Sequence, residues 1–295
     1  MDFNDTKYRL SEAENQRIFD LRIKPRLFAN AQKQEHPVAV VFGGQPGSGK
    51  SAAVNAAVSE LTGCVKIEGD DFRQFHPQYD LLMAQNDKTM AAFTGYDAGR
   101  WVEKAIAEAK SQRTHVVIEG TMRNADVVAQ TMKGFRDDGY AVDARALAVS
   151  FEMSELGIFQ RYEEQKADRG SGRMTPPEAH KAGYDGMLVT LDRIETEKLA
   201  DRLTIYKRGN VKIYQNELSN GQWIRKPEAR AVVEAERNRP MSKQEQKTYI
   251  EGCEKVMGLM KARKASISER LAFSSLKGLN DKNHGQTDRD DDLGR

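Results

Sequence analysis

Only two cysteines occur, Cys64 and Cys253, far apart and with no CxxC or Cys/His spacing. That argues against a disulfide framework and against a zinc site, and leaves two idle or buried thiols as the expectation. No run of 18 apolar residues is present, so there is no candidate for a membrane-spanning helix. The opening MDFNDTKYRL also lacks the basic-then-apolar design of a signal peptide. A cytoplasmic protein without a membrane partner is expected. A surplus of either charge is missing too: 46 Lys and Arg face 44 Asp and Glu. No global field draws in nucleic acid, and no nucleic-acid partner is expected.

What is abundant is charge itself, 31% of the chain against 39% apolar residues, which suggests a charge-coated protein with a polar helical periphery. The 295 residues are enough for a sizeable core. Residues 11–33 read as a helix, with Ser11 and Glu14 in a capping-box pattern and a kink at Pro25. PVAVVFG (37–43) is a continuous β-branched run, the mark of a strand buried on both faces. A helix over 49–61 follows, then strands at 64–69 and 114–120 with helical segments near 79–92 and 98–112. Asn124 caps a helix whose apolar face is Val127, Val128, Thr131, Met132 and Phe135. A long strand occupies 142–151, Ser154 opens the next helix, and 202–216 reads as a hairpin turning at Gly-Asn. Residues 226–275 are polar and helical, and the tail after 276 has too few apolar residues to order itself. Alternating strands and helices imply an α/β fold of P-loop kinase type, a mainly parallel sheet flanked by helices with a C-terminal helical extension. The expected divisions are an N-terminal helical segment (1–35), a core (36–220), the extension (221–276) and a disordered tail (277–295).

Between the first strand and its helix stands GGQPGSGKS, the order Gly44-x-x-x-x-Gly49-Lys50-Ser51. Glycines let backbone N–H groups turn inward around a phosphate chain, and the helix adds its positive N-terminal end. Lys50 reaches the outer phosphates, and Ser51 offers a hydroxyl to Mg²⁺. Gly44, Gly47, Ser48, Gly49, Lys50 and Ser51 are therefore the expected nucleotide-binding residues, with ATP or GTP as the ligand.

Two further strand ends carry acids. KIEGDDFRQFHPQY places Asp70 and Asp71 at the carboxyl edge of the second strand, where α/β sheets bind ligands. One of them can take a proton from a substrate hydroxyl or help hold Mg²⁺. VVIEGTMR ends the third strand with Glu119, suited to water-mediated Mg²⁺ or a substrate hydroxyl, and Thr121 and Arg123 line the same edge. Later, FQRYEEQKADRGSGRMTPPEAH offers Arg161 and Arg173 on a glycine-hinged loop near 165–178 that can fold over the nucleotide and exclude water. His76, His180, Trp101 and Trp223 read as structural or surface residues.

In order and spacing over roughly 36–216, GGQPGSGKS, IEGDDFRQFHP, TGYDAGRWVEKAI, VVIEGTMR, RYEEQ…GRMTPPEAH and RLTIYKRGNVKIY together resemble the zeta toxin family of bacterial toxin–antitoxin systems. The resemblance implies an ATP- and Mg²⁺-dependent kinase that phosphorylates the 3′-hydroxyl of the amino sugar in UDP-N-acetylglucosamine. It also implies a cognate antitoxin protein as partner. Carried onto this chain, Lys50 and Ser51 handle ATP-Mg²⁺, Asp70 is the base, Arg161 and Arg173 are lid arginines, and Glu103, Glu119 and Thr121 hold the substrate. The chain departs from the family pattern where the base position is doubled: the order Asp-x-Phe-basic favours Asp70, while distance from the P-loop favours Asp71. The interval between the lid arginines is one residue short, and no motif matches beyond about residue 220. Related alternatives are a kinase of the same type with another nucleotide or nucleotide sugar as acceptor, and a nucleotide-dependent binding switch.

Overall fold

The computed structural model describes residues 6–274. Strands β1 (Val38–Gly43), β2 (Val65–Glu68), β3 (Val116–Glu119), β4 (Ala141–Ala148), β5 (Arg202–Lys207), β6 (Val211–Ser219) and β7 (Gln222–Trp223) form one sheet, ordered β2-β3-β1-β4-β5-β6-β7. The first five are parallel, and β6 and β7 add antiparallel pairs at one edge. The chain leaves β1 for β2 and β3 on one side and crosses to β4 on the other. The crevice at the carboxyl end of β1 is thus the switch point of the sheet.

The period of two along β1 assigns its side chains to two cores. Ala39 and Val41 face one cluster, with Trp101, Met132, Phe135, Met187, Ile194 and Val233. Val40 and Phe42 face the other, with Val54, Ala57, Leu156, Val256 and Met260. The first core is covered by α6 (Met90–Gln112), α7 (Ala125–Asp137), α9 (Pro177–Glu197) and α10 (Ala229–Asn238), and the second by α3 (Ser51–Glu60), α8 (Phe151–Arg169) and α11 (Lys243–Ala262). Burying each large apolar side chain in such a core contributes roughly 1.5–3 kcal/mol. Short helices α4 (Gly69–Phe72) and α5 (Tyr79–Asn86) follow β2, and α1 (Glu12–Ile18) and α2 (Lys24–Leu27) precede the sheet. No helix among the described residues is long and apolar enough to cross a membrane.

Local chemistry accounts for where elements begin and for where the expectations differ. Ser11 caps α1 by accepting the Glu14 N–H, but the helix expected to reach residue 33 ends at Leu27. Pro25 cannot donate and would crowd the preceding turn. The backbone widens to a π-helical segment, Phe19–Ile23, in front of it. The two helical segments expected near 79–92 and 98–112 divide instead into α5 and one continuous α6, because burial of Thr94, Asp97, Ala98 and Trp101 carries the helix through Gly95 and Gly99. On α7 the Asn124 cap accepts from Asp126 and Val127 N–H, yet Val127 is 57% exposed and Ala129, Met132 and Phe135 form the buried face. Helix α8 starts before Ser154, capped by Ser150, and Ser154 is freed for a buried contact. Neither Cys64 nor Cys253 is in a disulfide among the described residues. The tail from 277 onward lies outside the described residues.

Candidate functional site

The loop after β1 is built on two glycines in the left-handed region, Gly47 (φ 78°) and Gly49 (φ 84°). At Gly47 a Cβ would stand 1.9 Å from the Ser154 carbonyl, and at Gly157 a Cβ would stand 2.2 Å from the Gly47 carbonyl. Helix α8 therefore abuts the loop backbone to backbone. Lys50, 8% exposed, curls over the loop: its Nζ donates to the carbonyls of Gly44 (2.8 Å) and Gln45 (3.3 Å) and lies 4.0 Å from Glu119 Oε1. Burial draws its pKa below the ordinary lysine value, and Glu119 opposes that shift. Ser51 follows at the exposed first turn of α3.

Sheet register brings the acids to this loop. Phe42 on β1 is level with Glu119, which is level with Glu68 on β2. The carboxyl ends of three strands thus converge where the loop begins. Glu119 Oε2 is buried and has no hydrogen-bond partner. Burial pushes the Glu119 pKa up, with Lys50 acting against it. In the first turn of α4, Asp70 Oδ1 accepts from Arg73 Nε (2.9 Å) and pairs with Arg173. Burial works against the Asp70 charge, but Arg173 and Arg73 outweigh it and hold the carboxyl well below its usual range. For Asp71 burial, and after it Glu68, push the pKa up instead. Of the two neighbouring aspartates, Asp70 is the one ion-paired with both arginines.

The two arginines expected in a lid lie on α8 and the loop beyond it. Arg161 donates to Thr175 Oγ1 (2.8 Å), while its Nε is buried and unpartnered. Burial, and next the Arg173 charge, pull its pKa down to about 10, so it remains a cation at neutral pH. The loop is fastened at Asp87, whose carboxylate accepts from Gly172 N–H (3.1 Å) and Tyr162 Oη (3.0 Å) and pairs with Lys166 (3.0 Å). Gln165 takes the Arg173 N–H (2.8 Å). Gly170, in the left-handed region at φ 76°, ends α8.

Lys50, Asp70, Glu119, Arg161 and Arg173 are thereby brought together, each within electrostatic reach of others in the group. Thr121 sits at the end of β3 opposite Gly183, where a Cβ on the glycine would be 3.5 Å from the threonine Cβ. Arg123 is exposed, and its carbonyl lies under Gly186 of α9. Glu103 is on the exposed side of α6, bonded to Arg100 (2.9 Å), which also holds Glu12 (3.1 Å).

Sequence reasoning missed several residues at this loop. Gln45 is fully buried and bonds to Val149, Ser154 and Arg237. Arg208, in the β5–β6 turn, places Nε 3.9 Å from where a Cβ on Gly49 would stand. Only the Gly-Asn turn signal beside Arg208 was legible. His180 is not a surface residue: it is 1% exposed, bonded to Ser154 Oγ (2.8 Å), and its pKa is lowered to about 4 by burial and by Arg237. His76 is buried between the Tyr8 carbonyl and the Gln78 N–H, and Trp101 donates to the Asn15 carbonyl.

Set against known proteins, residues 25–219 match the family model described as Zeta toxin. The chain is 30% identical over 217 residues to Toxin PezT of Streptococcus pneumoniae, covering 73% of this chain and 83% of that protein. It is 32% identical over 231 residues to Toxin zeta of Streptococcus pyogenes, covering 77% and 78%. Among solved structures, one from the PezAT chromosomal toxin-antitoxin system of Streptococcus pneumoniae superposes with a TM-score of 0.73 at 24% identity, covering 86% of this chain and 99% of that one.

Proposed function

Because the chain belongs to the zeta toxin family, we propose that it is a phosphotransferase using ATP to phosphorylate the 3′-hydroxyl of the amino sugar of UDP-N-acetylglucosamine. The observation that carries the reading is the meeting of Lys50, Asp70, Glu119, Arg161 and Arg173 at the carboxyl edge of the sheet. The left-handed glycines shape a loop for the phosphate chain, and Lys50 answers its outer charge. Arg161, with a buried Nε still lacking an acceptor, suits a phosphoryl oxygen.

Phosphoryl transfer asks for positioning and charge neutralisation more than for a strong base. Asp70 fits that demand, since its depressed pKa keeps it ionised and able to orient a sugar hydroxyl and accept its proton. In this arrangement Asp70 holds Arg173. Phosphate oxygens compete for that guanidinium, so nucleotide binding releases the carboxylate toward the acceptor.

Mg²⁺ is tested by the unpartnered Glu119 Oε2 beside the loop. The described residues contain no cluster of three His, Cys, Asp or Glu for a metal. Mg²⁺ in kinases keeps waters and leans on substrate phosphates and one or two protein oxygens. Ser51 with Glu119 fits that demand. When bound, the ion neutralises charge on the outer phosphates.

Residues 36–220 then act as the kinase core, with Thr121, Arg123 and Glu103 on the acceptor side. A separate antitoxin protein is the proposed partner, by likeness to proteins named for toxin–antitoxin systems. The test is mass spectrometry of UDP-N-acetylglucosamine incubated with the purified protein, ATP and Mg²⁺, beside Lys50→Ala. A product one phosphate heavier, absent with the variant, is expected. ATP consumption with the sugar nucleotide unmodified would reject the acceptor.

A further inference from the structure

Arg237 lies on α10, beyond the residues that the family model matches, yet it reaches the phosphate loop. Its NH2 donates to Gln45 Oε1 (3.1 Å) and its NH1 to the Tyr184 carbonyl (2.8 Å), while the guanidinium stacks 3.8 Å from the Tyr184 ring centroid. It is 5% exposed, its Nε has no acceptor, and among the described residues it has no direct ion pair, the Asp185 and Glu234 carboxylates acting on it only from a distance. A buried cation without a counter-ion is costly, and an apolar residue of similar size is often the more stable choice. Packing alone therefore does not account for an arginine here.

Gln45 shows what the contact does. Its side chain is fully buried: the amide nitrogen donates to the Val149 carbonyl (2.7 Å) and Ser154 Oγ (3.2 Å), and its oxygen takes Arg237. Its backbone carbonyl, on the other side, accepts Lys50 Nζ (3.3 Å) and the Ser48 N–H (3.2 Å). One residue thus joins α10 to the lysine and to the loop amides. Because an amide side chain must match donor and acceptor ends, Arg237 also fixes which end of Gln45 faces which partner.

We propose that Arg237 is a positioning residue of the ATP site, holding the phosphate loop through Gln45 and placing behind it a positive charge, without a directly paired carboxylate, that the polyphosphate answers. The inference rests on the ATP reading of the loop. It makes α10 part of the nucleotide site and not an appended arm.

Titration calorimetry with ATP and thermal melts, with and without ATP, test it on the full chain as wild type, Lys50→Ala, Arg237→Met and Arg237→Lys. Arg237→Met is expected to weaken ATP binding about tenfold or more, while the nucleotide-free Tm holds or rises because a buried unpaired charge is gone. Arg237→Lys is expected to fall between, keeping the charge but losing the fork that spans Gln45 and Tyr184. If the methionine variant does not fold, the lysine variant decides by the same comparison of affinity with Tm. ATP affinity equal to wild type in the folded variants would overturn the proposal, as would a lowered Tm with unchanged affinity, the signature of a purely structural residue. Failure of wild type to bind ATP would overturn the ATP reading as well; binding that Lys50→Ala abolishes secures that reading and leaves Arg237 to stand or fall alone.

Discussion

In front of the phosphate loop, Asp70, Glu119, Arg161 and Arg173 crowd together as charges, and two of their buried atoms, Glu119 Oε2 and Arg161 Nε, have no hydrogen-bond partner. Behind the loop, Gln45, Ser154 and His180 are buried neutral groups bonded to one another or to backbone, and the Arg237 cation joins them through Gln45. His180 stays neutral because burial and Arg237 lower its pKa to about 4. Unpartnered charged groups are ready to be completed by a ligand, whereas bonded neutral groups fix shape, and Arg237, whose Nε has no acceptor, is the member of the rear set that shares the character of the front. The two sides are separated by a single stretch of backbone, and substitutions should distinguish them by what they change: chemistry in front, loop geometry behind.

The largest effect is expected in front. Asp70→Ala should lower kcat by about 10²–10⁴-fold, the usual worth of a positioned base. ATP affinity should hold or tighten, since Arg173 loses its carboxylate partner and becomes available to phosphate. Single-turnover kinetics with a separate ATP titration check both halves. An unchanged kcat would return the base to Asp71.

Behind the loop the expected effect is moderate and of another kind. Gly157→Ala, on α8, would drive a Cβ to 2.2 Å from the Gly47 carbonyl. The carbonyl is backbone and a Cβ has no torsion by which to move, so neither can swing aside, and overpacking of this sort costs about 1–3 kcal/mol. Chemical denaturation should show that loss together with weaker ATP binding. Normal ATP affinity in the folded variant would mean that α8 does not set the loop's shape.

The asymmetry also decides what could be read from sequence. Strand ends, the glycine loop and the lid arginines are local patterns, and the sheet register then places Glu119 and Glu68 level with the end of β1. Gln45 stood inside the loop motif at a position the motif leaves open, and its partner Arg237 is 192 residues away. No spacing rule connects them. Helix α10 reads as one more polar helix until its packing against α9 and the sheet is known. Ser154 and Val127 were misplaced because a helix start and a helix face depend on which neighbour is already buried. The choice between Asp70 and Asp71 as the group facing the lid turned on one residue of phase in α4.

The smallest expected effect concerns pH. Burial lifts the Glu119 pKa above the ordinary carboxylate value, while Asp70 is held well below its own. As pH falls from neutrality, Glu119 is thus protonated before Asp70. Protonation removes a negative charge beside Lys50 and weakens the acid as a ligand for a metal-bound water or a hydroxyl. The acid limb of kcat/KM should therefore begin above the pH at which an ordinary glutamate titrates. In Glu119→Gln the group no longer ionises, so the limb should move to lower pH, with the rate at neutral pH already reduced. A pH profile of both proteins, restricted to conditions in which melts show them folded, measures the shift. If the limb stays in place, the titrating group lies elsewhere, and the raised Asp71 carboxyl next to Glu68 is the candidate for it.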